Sequence, residues 1–317
     1  MPNVTSVVKA LIKKRSKLRE ETIKDAIIRI AGNSQDGIQS IGGVLARLAG
    51  RSAQEVMTYM SIPSTIAGGP SIFQVRIGSG EVFSAGDEAD FLIAFYQHSY
   101  DDHIEQLRDG GVLIYDTDHV KPDISDKRIV YVGIPITGLS IEAVGGTSRD
   151  KGKNIFVLGL LASIFTLNVE KLHAILGERL GSKGEDILRN ALLAFDAGYA
   201  YPIDNLLDRY YTFSSSKKDS AKTQVTMDGN QAISYGLITA GVRYGAGYPI
   251  TPWTPIMEIL RSELPKYGGI FVQAEDEIAA ISIALGFSYS GHLAVTGSAG
   301  PGLSLKMEGL GWAVMAE

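Results

Sequence analysis

From residue 26 to about residue 211, short apolar runs alternate with segments of helical period. The run at residues 26–31 predicts a strand, and the Gly-rich loop at residues 32–37 leads from it into a helix. Further strands are predicted at residues 90–96, 111–115 and 128–132. Near-continuous apolar strands joined by helical crossovers predict a parallel sheet covered on both faces. The helix after the loop ends near Gly50, and its apolar positions are Ile38, Ile41, Leu45 and Leu48.

A second α/β pattern follows a polar interruption at residues 212–224, whose sequence TFSSSKKDSAKTQ is typical of a linker. Beyond it, helices are predicted at residues 228–241, around 257–264 and from 302 onward, and strands at 270–273 and 292–295. This division gives a basic arm at residues 1–21, a first domain at 22–211 and a second at 225–317. The second domain has few strands for an open sheet, and Glu317 falls inside a predicted helix. We therefore expect a longer subunit, truncated at its C-terminus.

Composition and charge narrow the class of protein. With 45% hydrophobic and 21% charged residues, and 36 Gly among 317, the chain fits a soluble α/β protein of two domains. A net charge of −5 gives no global reason to expect nucleic acid or an anionic membrane surface as partner. The longest apolar run, residues 155–167, is too short to span a membrane. The basic N-terminal segment lacks the apolar core of a secretory signal, so we expect a cytoplasmic protein.

The absence of Cys excludes several chemistries for these residues. A chain without Cys has no disulfide, no thiolate nucleophile and no Cys-ligated iron–sulfur cluster. Its five His include no HExxH spacing, and we expect no intrinsic metal site. If the protein handles electrons, the cluster that takes them is expected on another chain.

The loop of the first domain has the composition of an anion site. It reads Gly32-Asn33-Ser34-Gln-Asp-Gly37 between a strand and a helix, where backbone N–H groups can hold a phosphate. It is neither a GxGxxG motif nor a P-loop. The alternative is a tight turn that needs Gly only for its dihedral angles.

Three loops of the second domain are each able to contact a ligand. The sequence YPITP at residues 248–252 forms a rigid platform that presents the Thr251 hydroxyl, or else an ordinary turn with Thr251 as N-cap and Pro252 in the first helical position. The sequence QAEDE at residues 273–277 places carboxylates where a strand meets a helix, where acids also complement the helix dipole. The sequence TGSAGPG at residues 296–302 allows close backbone approach to a flat ligand, or caps another helix. Consecutive loops at strand ends are where open α/β sheets bind ligands.

Together, these three segments resemble the pyrimidine-binding domain of the 2-oxoacid:ferredoxin oxidoreductases. The sequences YPITP at 248–252, QAEDEIAAISIALGFSYSG at 273–291 and TGSAGPGLSLKMEGLGWAVMAE at 296–317 match that family in order, spacing and context. Residues 22–211 resemble the gamma domain of the family, which some members carry fused ahead of the alpha part. The resemblance therefore implies a gamma-type α/β domain followed by an incomplete thiamine diphosphate pyrimidine-binding domain.

The resemblance assigns roles to individual residues. Glu275 is matched to the Glu that hydrogen-bonds the aminopyrimidine ring of thiamine diphosphate, and Thr251 to the Thr that contacts the substrate carboxylate. The first-domain loop implies coenzyme A contacts by Gly32, Asn33, Ser34 and Gly37. The remaining cofactor-binding residues are expected in the two flanking loops of the second domain: Tyr248, Pro249, Ile250, Ser298 and Gly300.

The implied function is that of an alpha subunit converting 2-oxoglutarate to succinyl-CoA, or the reverse. Pyruvate or a branched-chain 2-oxoacid is the alternative substrate, and a non-catalytic assembly or regulatory subunit is the alternative of another class. No Gly-Asp-Gly motif is present, so the resemblance places the diphosphate and Mg²⁺ on a beta subunit, with ferredoxin as electron partner. Three features depart from the family pattern, one of them the first-domain sequence Asn33-Ser-Gln-Asp36, where the form Gly-Gly-Gln-Gly is commoner. Trp253 is expected at the mouth of the pocket, and Lys306 replaces an apolar residue.

Overall fold

The computed structural model describes residues 18–61, 68–146, 152–215 and 225–317, which form two compact units. The first unit extends to Thr226 and the second begins at Met227. Both combine helices with sheets, which confirms the expected α/β class. Most of the predicted arm (residues 1–17) and of the predicted linker (residues 216–224) lies outside the described residues. None of the described helices is both long and apolar enough to cross a membrane.

The first unit is built on a six-stranded sheet with the order β3-β4-β2-β5-β6-β7. Two further strands, β1 and β8, pair with each other in a separate two-stranded sheet. The strands of the first unit are β1 (Arg19–Ile23), β2 (Asp25–Asn33), β3 (Glu55–Ser61), β4 (Pro70–Gly78), β5 (Ala89–Ala94), β6 (Leu107–Asp116), β7 (Val130–Ile134) and β8 (Arg209–Phe213). Its helices are α1 (Ile38–Arg51), α2 (Gln97–Asp101), α3 (Ile136–Ala143), α4 (Lys153–Ile164), α5 (Val169–Leu180) and α6 (Glu185–Ala200).

The prediction of a parallel sheet is confirmed for the four predicted strands, but two strands that were not predicted, β3 and β4, make the sheet mixed. β2, β5, β6 and β7 are parallel neighbours, whereas β4 is antiparallel to both β2 and β3. β3 is an edge strand whose apolar side chains face water: Tyr59 is 53% exposed and Met60 47%. Four of the five residues 56–60 are apolar although this run is largely exposed, so the sequence of β3 does not alternate as that of a half-buried strand does.

The short strand β1 lies partly in the segment predicted as a basic arm. It pairs in parallel with β8, from Arg19 opposite Arg209 to Ile23 opposite Phe213. Arg209 also bonds Glu21 across this pair, with 2.7 Å between Nη1 and Oε2. Residues 19–21 therefore belong to the folded unit, and β8 extends two residues into the predicted linker.

The core of the first unit is centred on α4, which is apolar on all sides and almost wholly buried. It packs against α6 where two glycines face opposite backbones. A Cβ atom on Gly159 would strike the Phe195 carbonyl oxygen, and one on Gly198 would strike the Phe156 carbonyl oxygen. The helices can approach this closely because neither glycine carries a side chain.

We expect Gly159→Ala to destabilise the first unit by about 1–3 kcal/mol or more, because the added methyl group forces α4 and α6 apart. Urea unfolding followed by circular dichroism measures the change. Gly177→Ala in α5 is the control, since a Cβ there meets nothing within 4 Å. Its higher helix propensity should raise stability by about 0.5–1 kcal/mol. Equal effects of the two substitutions would contradict the proposed steric origin.

The second unit contains a three-stranded parallel sheet with the order β10-β9-β11. Its strands are β9 (Tyr244–Gly247), β10 (Ile270–Gln273) and β11 (Ala294–Val295). A small hydrophobic core of this unit includes Leu260 and Phe271. The central strand, β9, was not predicted from the sequence. The helices are α7 (Gly229–Thr239), α8 (Thr254–Glu263), α9 (Glu277–Tyr289), α10 (Pro301–Leu305) and α11 (Met307–Met315).

Candidate functional site

The three candidate loops of the second unit meet at one edge of its sheet. Because β9, β10 and β11 are parallel, the segments that follow them leave from the same edge. These segments are the 248–252 loop after β9, residues 274–276 after β10 and the 296–300 loop after β11. The carboxyl ends of the three parallel strands therefore bring together the 248–252, 274–276 and 296–300 segments, which are far apart along the sequence.

The 248–252 loop ends before α8, which begins at Thr254. Tyr248 and Thr251 are exposed, and Pro249 and Ile250 are partly buried. The N-cap of α8 is Trp253, so the alternative with Thr251 as N-cap and Pro252 in the first helical position was wrong. The Thr251 hydroxyl consequently has no capping role.

Trp253, which was expected at the mouth of the pocket, has a buried side chain with 7% exposure. Its indole Nε1 lies 2.6 Å from the position that a Gly247 Cβ would occupy, and its ring lies against Gly297. The indole N–H has no acceptor among the described residues. Trp253 therefore packs beneath the loops that follow β9 and β11.

Three adjacent carboxylates at the start of α9 occupy different environments. Glu275 is exposed and precedes the helix. Asp276 is the N-cap, and its Oδ1 accepts a hydrogen bond of 2.7 Å from the Ala279 N–H. Glu277 is only 8% exposed and shares the buried face of α9 with Ala280 and Ile281. Glu277 is thus the buried acid of the three, although the resemblance pointed to Glu275.

Glu277 and Ser298 converge above Gly302. A Cβ atom on Gly302 would lie 2.5 Å from Glu277 Oε1 and would also strike Ser298 Oγ. The Ser298 hydroxyl is buried and has no hydrogen-bond partner among the described residues. A buried carboxylate beside an unpartnered buried hydroxyl offers both hydrogen-bond donors and acceptors to a polar ring, and such groups are costly when left unsatisfied.

Lys306, which departs from the family pattern, is also buried at this site, and its exposed fraction is 3%. Its Nζ donates hydrogen bonds to Thr296 Oγ1 at 2.7 Å and to the Gly297 carbonyl oxygen at 2.9 Å. Burial lowers the pKa of Lys306, and the Glu277 carboxylate partly opposes that shift. Lys306 was not predicted as part of the site, and Glu277 belongs to the predicted 273–277 segment, from which the resemblance selected Glu275.

One sequence signal could have identified Glu277. It stands three, four and seven positions before Ala280, Ile281 and Ala284, a helical spacing that places it on the same face of α9 as these small or apolar residues, which are buried. Glu275 precedes the N-cap and cannot lie on that face. The signal for Lys306 is weaker, because a lysine next to an apolar run is normally expected to reach solvent.

The predicted anion loop of the first unit is held by a buried ionic cluster. The Asp36 carboxylate accepts hydrogen bonds from the Asn33 N–H at 2.8 Å and from the Tyr96 hydroxyl at 3.0 Å. Lys153 Nζ lies 2.9 Å from Asp36 Oδ1 and also contacts the Tyr96 hydroxyl. Burial lowers the pKa of Lys153, but the bonds to Tyr96 and Asp36 outweigh it and raise the pKa.

The residues predicted to contact coenzyme A surround this cluster. Gly32 is buried, and Asn33, Ser34 and Gly37 are partly buried. The Ser34 N–H is bonded to the Gly69 carbonyl at 3.0 Å, and Asn33 N–H to Asp36, so neither is free for an anion. Gly37 adopts a φ of 69°, the left-handed conformation that suits glycine, and begins α1. In the first turn of α1, the Ser40 and Ile41 N–H groups donate to the Gly37 carbonyl oxygen, which leaves the N–H groups of Ile38 and Gln39 as the donors for an anion.

In the described part of the chain, no group of three or more His, Asp or Glu side chains is arranged to hold a metal ion.

Two family models match the chain in succession. One, described as pyruvate ferredoxin/flavodoxin oxidoreductase, matches residues 27–201. The other, the thiamine diphosphate-binding model of pyruvate flavodoxin/ferredoxin oxidoreductase, matches residues 235–317. Their order agrees with the two units of the structure.

Individual relatives agree with these models. The chain is 31% identical to 2-oxoglutarate oxidoreductase subunit KorA of Mycobacterium tuberculosis, over 94% of this chain and 50% of that protein. It is 52% identical to 2-oxoglutarate synthase subunit KorA of Methanocaldococcus jannaschii, over 29% of this chain and 25% of that protein. The first alignment covers both units, and the second covers a much shorter part of the chain.

A solved structure is similar over both units. It is 2-oxoglutarate:ferredoxin oxidoreductase from Magnetococcus marinus with 2-oxoglutarate, coenzyme A and succinyl-CoA bound, and it matches with a TM-score of 0.78 and 34% identity. The match covers 90% of this chain and 49% of that one, so the chain spans about half the length of its long relatives. Since the first family model alone matches more than half of the 317 residues, the chain belongs to the pyruvate ferredoxin/flavodoxin oxidoreductase family.

Proposed function

We propose that this chain supplies the pyrimidine-binding part of a thiamine diphosphate site in a 2-oxoacid:ferredoxin oxidoreductase. The observation that carries the proposal is the convergence of buried Glu277 with the unpartnered Ser298 hydroxyl at the edge where three strand-end loops meet. A carboxylate and a hydroxyl in a water-poor position fit an aminopyrimidine ring, which presents both donors and acceptors. The bound cofactor supplies the electron sink for loss of CO₂ from a 2-oxo acid.

Glu277 takes the role that the sequence resemblance gave to Glu275. A carboxyl group that bonds the ring must be held in one orientation, and α9 fixes Glu277 on its buried face. Glu275 is exposed, so water competes for any hydrogen bond that it makes. Tyr248, Pro249 and Ile250 line the same edge, together with Gly300 of the 296–300 loop. The Thr251 hydroxyl is exposed there and is available to the substrate carboxylate.

The substrate is 2-oxoglutarate in this proposal, and the product of its oxidative decarboxylation is succinyl-CoA. The long mycobacterial relative and the Magnetococcus structure support this choice through their names. Pyruvate or a branched-chain 2-oxo acid is the competing substrate. Coenzyme A binds the first unit beside residues 32–37, where the first turn of α1 offers N–H donors.

A beta subunit completes the site by holding the diphosphate and Mg²⁺, and electrons leave through iron–sulfur clusters on partner chains to ferredoxin. The lack of Cys in these 317 residues supports that division of roles. An apolar cleft of about 580 Å³ also supports a partner; Ile281, Leu285 and Tyr289 of α9 and Trp312 of α11 contribute to its lining. Tyr289 is 78% exposed, and patches of this kind mark interaction surfaces.

Calorimetric titration with thiamine diphosphate and Mg²⁺ tests the proposal, first on this chain and then on its mixture with the beta subunit. We expect binding only in the mixture, followed by turnover that is faster with 2-oxoglutarate than with pyruvate. Complex formation without cofactor binding would favour the non-catalytic assembly subunit. Faster turnover of pyruvate would preserve the class of enzyme and change its substrate.

A further inference from the structure

Lys306 is one of two lysines in the second unit, and the two are in opposite environments. The Lys266 side chain is 61% exposed and pairs with Glu263 at 2.8 Å. Lys306 is 3% exposed and forms no salt bridge with any described residue. Removing an ammonium group from water costs several kcal/mol unless hydrogen bonds compensate for it. The hydrogen bonds of Lys306 must therefore compensate for the lost hydration of its ammonium group, and their acceptors identify the segment that it holds.

The two hydrogen bonds of Lys306 define that role. Both acceptors, Thr296 Oγ1 and the Gly297 carbonyl oxygen, belong to the two residues immediately before Ser298. One bond fixes the Thr296 side chain and the other fixes the Gly297 backbone. The short turn formed by residues 296 and 297 is therefore held at two points. Hydrogen bonds from a charged donor are the stronger kind.

Trp253 supports the same turn from another side. Its ring lies against Gly297, where a Cβ atom would come within 2.5 Å of ring carbons. The turn is therefore confined between an indole ring and an ammonium group, and the next residue is Ser298. Confinement of a short Gly-containing turn removes backbone freedom that glycine would otherwise retain.

We propose that Lys306 is a positioning residue of this site: its ammonium group fixes the Thr296–Gly297 turn so that the Ser298 hydroxyl is presented beside Glu277. The inference rests on the proposed function for its consequence, cofactor binding, but its structural part stands without it. Lys306 does not need to touch the cofactor. It acts through the backbone of the turn and through the placement of Ser298.

Two substitutions remove the hydrogen bond between Lys306 and Thr296, one by removing its donor and the other by removing its acceptor. Lys306→Met keeps an unbranched side chain that is one atom shorter and removes the ammonium group, and Thr296→Val removes one acceptor while nearly keeping the size of the side chain. Hydrogen–deuterium exchange on the full chain reports the freedom of the turn. Titration of the complex with thiamine diphosphate and Mg²⁺ reports the consequence for the site.

We expect Lys306→Met to speed amide exchange in residues 297–300 by about 10-fold or more and to weaken thiamine diphosphate binding by about 10- to 100-fold, in line with loss of charge-assisted hydrogen bonds. Thr296→Val should shift both quantities in the same direction by less, and the double variant should be no worse than Lys306→Met alone. Thr296→Ser keeps the hydroxyl and should behave as the wild type. Lys266→Met is the control for loss of a lysine.

A purely structural role gives a different pattern. Lys306→Met would then lower the melting temperature while leaving exchange at 297–300 and cofactor affinity unchanged, and that result would overturn the inference. Full additivity of the two substitutions would overturn it as well. If Lys306→Met fails to fold, the comparison of Thr296→Val with Thr296→Ser decides the question. A wild-type complex that does not bind thiamine diphosphate would refute the proposed function, whereas the exchange measurement would still decide the role of Lys306 in the turn.

Discussion

Glu277→Gln should lower the turnover of 2-oxo acid by about 10²- to 10⁴-fold, the range typical of a lost acid–base group. Gln has the same shape, so the buried face that Glu277 shares with Ala280 and Ile281 stays filled. The amide cannot exchange a proton with a bound ring, which is the property that the substitution removes. Steady-state rates of the complex with the beta subunit measure the loss, and circular dichroism confirms that the fold is retained.

Glu275→Gln is the matched control for this prediction. The two residues are two positions apart and undergo the same chemical change, but Glu275 is exposed and lies outside α9. We expect its turnover to stay within about threefold of the wild type, because exposed single contacts contribute little. A large loss in Glu275→Gln with normal turnover in Glu277→Gln would restore the assignment from resemblance and reject the one from burial.

Lys153→Met should destabilise the first unit by about 3–5 kcal/mol, the typical cost of removing one partner from a buried ion pair. Lys153 and Asp36 are 1% and 7% exposed at their side chains, and the substitution leaves the Asp36 carboxylate without its cation. The Asn33 N–H and the Tyr96 hydroxyl remain as donors and limit the loss. Equilibrium unfolding in urea gives the change in free energy.

The double variant Asp36→Asn/Lys153→Met separates charge from packing. With both charges removed, much of the lost stability should return, because neither partner is then buried alone. Lys127→Met provides the exposed control and should change the free energy of unfolding by no more than about 0.5 kcal/mol. If the double variant is as unstable as the sum of its single variants, the cluster acts through shape and not through charge.

The sequence predicted those elements whose apolar period coincides with burial. The strand at 26–31 and the helix through Ile38 are of this kind, because local pattern and tertiary environment agree there, whereas the loops at 248–252 and 296–300 were recognised by their Gly and Pro content. The antiparallel strand β4 and its edge partner β3 were not predicted, although β4 carries an alternating signal in which the buried Phe73, Val75 and Ile77 are separated by Gln74 and Arg76. The exposed apolar residues of β3 hide its period, and no local signal states which way a neighbouring strand runs.

The site was predicted as a set of loops more successfully than as a set of side chains. Parallel strand ends bring the loops together by topology, and strand topology follows from the pattern of elements. The choice between Glu275 and Glu277 depends on where the N-cap falls, a difference of one or two residues that sequence patterns rarely resolve. The burial of Lys153 and Lys306 depends on acceptors supplied by other segments, and residue type alone argues against it.

The pairing of β1 with β8 has a consequence for how this protein folds. Thr22 and Thr212 face each other in that pair although 190 positions separate them along the chain. A ribosome that adds about 5–20 residues per second needs roughly 10–40 s to make the intervening polypeptide. Strand β1 is therefore synthesised early but cannot pair until β8 has been made. The contacts between β2, β4 and β5 can form before β8 is synthesised. Closing so long a loop also costs chain entropy before any contact repays it, so the docking of β1 is expected to be among the last steps of folding.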